Sequence, residues 1–84
     1  MEIKVVELYE KLDINDQIFN MEFEKILNKN ITLFELDDDS KEYVKVDDYY
    51  PISVFVEDGE IGFDFGKEDY ERVYLNETDI IQIN

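Results

Sequence analysis

The chain has 84 residues and carries 23 Asp plus Glu against 8 Lys plus Arg, a formal net charge of −15 at pH 7. A field this negative repels nucleic acid and anionic lipid, and attracts proteins that themselves hold nucleic acid. Cys and His are both absent, which excludes disulfides, thiolate metal sites, a thiol nucleophile and the commonest general base.

The opening segment, Ile3 to Leu12, places apolar groups at 5, 8, 9 and 12, the i, i+3, i+4, i+7 face of a short helix. Asp16 is a candidate cap for a second helix, with Phe19, Phe23, Ile26 and Leu27 on one face and Asn28-Lys29-Asn30 as its stop. Met21, Phe23 and Lys25 also alternate, so a strand competes there.

From Ile31 the pattern turns to strand. Ile31 to Leu36, a turn at Asp37-Asp38-Asp39-Ser40, and Glu42 to Val46 make a hairpin. Asp47-Asp48-Tyr49-Tyr50-Pro51 reads as a loop, with Pro51 at a strand entrance. Ile52 to Glu57 and Ile61 to Phe65 flank Asp58-Gly59, a strong hairpin signal. Lys67 to Glu71 reads as a helical turn. Arg72 to Leu75 and Ile80 to Ile83 make one or two short strands around Asn76-Glu77-Thr78-Asp79. The expectation is one α+β domain over 1–84: an N-terminal helix or helices, followed by a four- to six-stranded antiparallel sheet.

High net charge is half of the signature of disorder. The other half is missing: 44% of residues are hydrophobic, 14% are aromatic, and there is one Pro. No apolar run reaches the roughly 18 residues of a membrane span, and the start lacks the pattern of a signal peptide, so a cytoplasmic protein is expected. Ala and Trp are absent, while Ile, Asn, Lys and Tyr are heavily used, as in coding from AT-rich DNA.

The acid is unevenly spread. Residues 1–34 hold 7 acidic and 4 basic residues, whereas residues 35–84 hold 16 and 4. Solubility alone asks for a net charge of about 2–8 on a small domain, mixed in sign. The candidate partner-binding residues are therefore the acidic clusters and their neighbours: Asp37, Asp38, Asp39 and Glu42; Asp47 and Asp48 with Tyr49 and Tyr50; Glu57, Asp58 and Glu60; Asp64; Glu68 and Asp69. Tyrosine beside acid suits an interface anchor. On a strand, residues i and i+2 lie about 6.6 Å apart on one face, a spacing comparable to successive phosphates.

Other chemistry finds little support. Asp13, Asn15, Gln17 and Glu24 fall at EF-hand positions 1, 3, 5 and 12, but Ile18 occupies the position that needs Gly. Gly59, Gly62 and Gly66 form no phosphate-binding loop. No catalytic residue, metal or cofactor is expected.

The Lys-Val-Val-Glu-Leu opening of the first helix looks like the start of many small phage and prophage proteins of low-GC bacteria. By size, acidity and lack of Cys, the whole chain resembles small acidic phage inhibitors, including anti-CRISPR proteins and other DNA mimics. That resemblance implies an inhibitor that occupies the nucleic-acid site of a basic host protein: a CRISPR effector, nuclease or repair enzyme; a monomer or a homodimer is expected. Two alternatives stand beside it. One is an immunity protein or antitoxin against a basic nuclease toxin. The other is a phage structural or assembly protein that is acidic for solubility.

Overall fold

The computed structural model describes the backbone of residues 1–14, 16–66 and 71–84 and, outside 14–19, their side chains. Among these residues, one short strand, two helices and six further strands follow in order. Strand β1 is Glu2–Lys4, helix α1 is Val5–Ile14 and helix α2 is Asp16–Phe23. Strands β2 (Ile31–Leu36), β3 (Tyr43–Tyr49), β4 (Pro51–Glu57), β5 (Glu60–Phe65), β6 (Glu71–Tyr74) and β7 (Ile80–Ile83) complete the chain.

Helix α1 forms where the apolar spacing predicts. Val5 and Leu8 are buried, Tyr9 and Leu12 pack against the core, and Glu7 and Lys11 sit at the ends that suit their charges. Helix α2 resolves the competition at Met21 and Phe23 in favour of helix, but it ends at Phe23, short of the expected stop at Asn28. Beyond Phe23 the chain tightens to i→i+3 bonds, among them Ile26 N–H to Phe23 C=O at 3.1 Å. Asn28 ends the run in the left-handed region at φ 57°, and its N–H donates to the Pro51 carbonyl. The Asp16 cap and the Phe19 contact lie outside the described side chains. Lys11 reaches Glu22 at 3.3 Å and joins the two helices, and Lys25, just beyond α2, reaches it at 2.9 Å; the Lys25 hydrogen bond, aided by Lys11, holds the Glu22 carboxyl below its usual range.

The strands divide into two antiparallel sheets, of order β1-β7-β2-β3 and β4-β5-β6. Together they number seven, against the four to six expected in one sheet. The added strand is β1, whose three residues are too few to show a period. It pairs with β7 at the other end of the chain, Ile3 opposite Ile81. The division into two sheets follows from β3, which runs through the expected loop to Tyr49. Asp47 pairs with Leu33 and Asp48 with Thr32, and a bulge between Leu33 and Phe34 absorbs the extra residue. Only Tyr50 separates β3 from β4, so the chain turns a corner there and enters the second sheet. Asp58 and Gly59 take φ 52° and 79°, the paired left-handed geometry of a two-residue hairpin turn.

One core unites the layers. Ile3, Ile31, Leu33 and Ile81 enter it from the larger sheet, Ile61, Phe63 and Leu75 from the smaller sheet and its exit, and Val5, Leu8, Phe23 and Ile26 from the helical segment. Tyr9 crosses it. Its hydroxyl donates to the Leu75 carbonyl at 2.7 Å and accepts from the Ile61 N–H at 3.0 Å, satisfying two backbone groups at the end of the β5–β6 ladder. The radius of gyration is 12.5 Å, against about 12 Å for a compact chain of this length.

Candidate protein-interaction surface

The register decides which acidic clusters meet. The end of β2 lies beside the start of β7 (Phe34 opposite Ile80), and the end of β6 beside the start of β5 (Leu75 N–H to Ile61 C=O). The 75–79 segment therefore runs from the β4–β5 turn to the β2–β3 turn. The turns at 37–42, 57–60 and 76–79 gather at one end of the molecule. These stretches hold nine carboxylates and one lysine, Lys41. Asp37, Asp38, Asp39, Glu42, Glu57, Asp58 and Glu60 are all exposed there. The Asp37 carboxylate accepts the Asp39 N–H at 2.9 Å and so shapes the turn, leaving Asp38, Asp39 and Glu42 at its surface.

Glu77 and Asp79 belong to this end but were not among the candidate residues, because the sequence shows them only as turn formers. Asp79 is 2% exposed. Its carboxylate accepts the Asn76 N–H at 2.9 Å, and its carbonyl accepts the first N–H of α1, from Val5. Burial pushes the Asp79 carboxyl above its usual range, the Asn76 N–H opposes this, and Glu35 adds to the rise. Lys4, Val6, Tyr43, Glu77, Thr78, Asp79 and Ile80 line an open hollow of about 310 Å³ beside it.

The remaining candidates are dispersed or already engaged. Asp47 and Asp48 lie toward the opposite end, near the β3–β4 corner. Asp47 accepts the Asp48 N–H at 2.7 Å. Asp48 accepts from the Thr32 hydroxyl at 2.6 Å and from Lys45 at 2.9 Å, and these bonds, Thr32 first, hold its carboxyl below the usual range. Asn84 donates to the same Thr32 oxygen, so the end of the chain is tied in. Tyr49 turns inward, edge-on to Phe63 and Phe65 with ring centroids 5.4 and 4.8 Å away, and so covers the core, while Tyr50 is 49% exposed. Glu68 and Asp69, and the helical turn expected around them, lie outside the described residues; Glu71 already belongs to β6.

Arg72, the one arginine of the chain, spans two of the candidates. Its Nε meets Asp64 at 2.9 Å, an Nη meets Glu57 at 2.7 Å, and the guanidinium lies 4.1 Å from the Phe55 ring centroid. Ser53 donates to the other Asp64 oxygen. On this outer face of the smaller sheet, Asp64 and Glu57 are neutralised locally and present less negative charge than the sequence implies. Of the residues at EF-hand spacing, Asp13 lies in α1, Gln17 in α2 and Glu24 just beyond it, while Asn15 lies outside the described residues; no group of three metal-ligating side chains occurs among the described residues. No described helix is long and apolar enough to cross a membrane. No family model matches the chain, and neither a curated protein nor a solved structure shows similarity to it.

Proposed function

We propose that this protein is an inhibitor that presents nucleic-acid-like charge to a basic nucleic-acid-binding protein and occupies its DNA or RNA site, in the manner of an anti-CRISPR protein. The observation that carries the reading is the acidic end, where three turns separate in sequence bring together seven exposed carboxylates besides Glu57, which Arg72 pairs, and Asp79, which is buried. A groove lined with Lys and Arg has its charge complement there, and electrostatic steering makes association fast and salt-sensitive. A bacterial or phage setting follows from the resemblance of the chain to small acidic phage inhibitors.

The test is retention of proteins from a low-GC bacterial lysate that contains CRISPR effectors and repair enzymes, at low and at high salt. A basic nucleic-acid enzyme held at low salt and displaced by competing DNA supports the reading. Asp38→Lys with Asp39→Lys, which spares the turn-forming Asp37, then weakens its capture roughly tenfold, equivalent to about 1.4 kcal/mol. Asp47→Lys has a smaller effect, because it lies away from the acidic end. Retention of no such enzyme, or capture indifferent to DNA, overturns it.

A further inference from the structure

Strand β3 is an edge. It pairs with β2 on one side, and among the described residues no strand pairs with its other side. The Asp37 N–H donates to the Glu42 carbonyl, which sets the alternation of the antiparallel ladder. Before the bulge, that alternation turns the backbone groups of Tyr43 and Lys45 away from β2, toward solvent. The side chains around them are unusually bare for apolar residues: Tyr43 is 47% exposed, Val44 52% and Val46 42%. A free edge with exposed apolar side chains is a template for an added strand.

The charge selects the occupant. An added strand lies about 4.8 Å away, well inside the roughly 8 Å screening length at physiological salt. A second copy of this chain would bring another −15 against the first. Along the hairpin, Asp37, Asp38, Asp39, Glu42 and Asp47 flank the edge, while Lys45 is engaged by Asp48. The bulge blunts the edge toward neutral strands. We infer that β3 docks an extended basic segment of the partner protein as an additional antiparallel or parallel strand, with apolar partner residues against Val44 and Val46. This rests on the proposed function and supplies its mode of attachment: backbone pairing at β3 holds the partner, while the acidic end beside Glu42 faces its basic groove.

The experiment uses a short end-blocked peptide that alternates Lys and Val, with a Glu–Val peptide as control, and follows amide hydrogen exchange residue by residue. The Lys–Val peptide slows exchange at Tyr43 and Lys45 at least tenfold, and the Glu–Val peptide does not. Lys45→Pro removes an outward N–H without touching the β2 ladder, and it also makes the chain more acidic. It abolishes the protection if the edge pairs, whereas purely electrostatic binding would persist or strengthen. Should Lys45→Pro fail to fold, Val44→Arg with Val46→Arg, both at exposed positions, repels the same peptide. Uniform shifts over the acidic turns that survive either variant overturn the edge inference and leave the charge-based function standing. Protection of the same amides by self-association, or no protection, also overturns it. Capture of a nucleic-acid enzyme decides the function separately.

Discussion

Tyr9 and Asp79 do structural work that their residue types barely advertise. The Tyr9 hydroxyl bridges a backbone donor on β5 and a backbone acceptor just beyond β6. Burial raises its pKa, so it stays a donor across the physiological range. Tyr9→Phe leaves both partners unsatisfied and should cost about 1–3 kcal/mol, read as a lower urea midpoint with an unchanged slope. Asp79 carries the opposite lesson. Its folded-state pKa is raised, so the native state holds this proton more tightly than the unfolded chain does. Its contribution to stability is therefore greatest in acid and falls as pH rises through the raised pKa. Asp79→Asn keeps an oxygen for the Asn76 N–H and removes the charged form. Urea unfolding should find the variant more stable, relative to the parent, at pH 7 than at pH 4.

At the scale of elements, the sequence was legible wherever a local rule governed. Helix α1, the Asp58-Gly59 turn and the alternation of β5 follow from spacing and turn chemistry alone. Strand β3 was not legible beyond Val46. Consecutive Asp residues favour a loop by propensity, yet pairing with Leu33 and Thr32 and the packing of Tyr49 override it. Gly62 is a second case. On β5 it stands opposite Phe55 and Tyr74, whose rings meet at 5.2 Å across the space its missing side chain leaves. A Cβ there would overlap the Phe55 ring and the Val73 carbonyl. Gly62→Ala should cost about 1–3 kcal/mol, and Phe55→Ala in the same chain should recover part of the loss, a coupling that a double-mutant cycle measures. Recovery cannot be complete, because the Val73 carbonyl is backbone.

For the molecule as a whole, charge is the dominant constraint. Five ion pairs join described residues, and those of Lys45 and of Arg72 with Glu57 are well exposed, so they offset little of the self-repulsion. Raising ionic strength from about 0.01 to 1 M shortens the screening length from about 30 to 3 Å. The melting temperature should therefore climb with sodium chloride, by about 4–8 °C for each kcal/mol of repulsion relieved. A flat response would mean that the acidic turns lie too far apart to repel one another.

Net charge, the want of Cys and His, the placing of the helices ahead of strands β2–β7 and the tight turns are properties of composition and short-range pattern, and the sequence by itself determined them. Tertiary structure decided the rest. It split the strands into two sheets and paired β1 with β7 across the full length of the chain. It turned Tyr49 inward and set Arg72 against Asp64 and Glu57. It also separated the acidic clusters that the linear sequence presents as one stretch, gathering 37–42 and 57–60 with the unheralded 76–79 and sending 47–48 toward the other end. The physical reason is register. Which residues face one another across a ladder depends on pairings between strands remote in sequence, and a bulge or a one-residue corner redirects every side chain that follows.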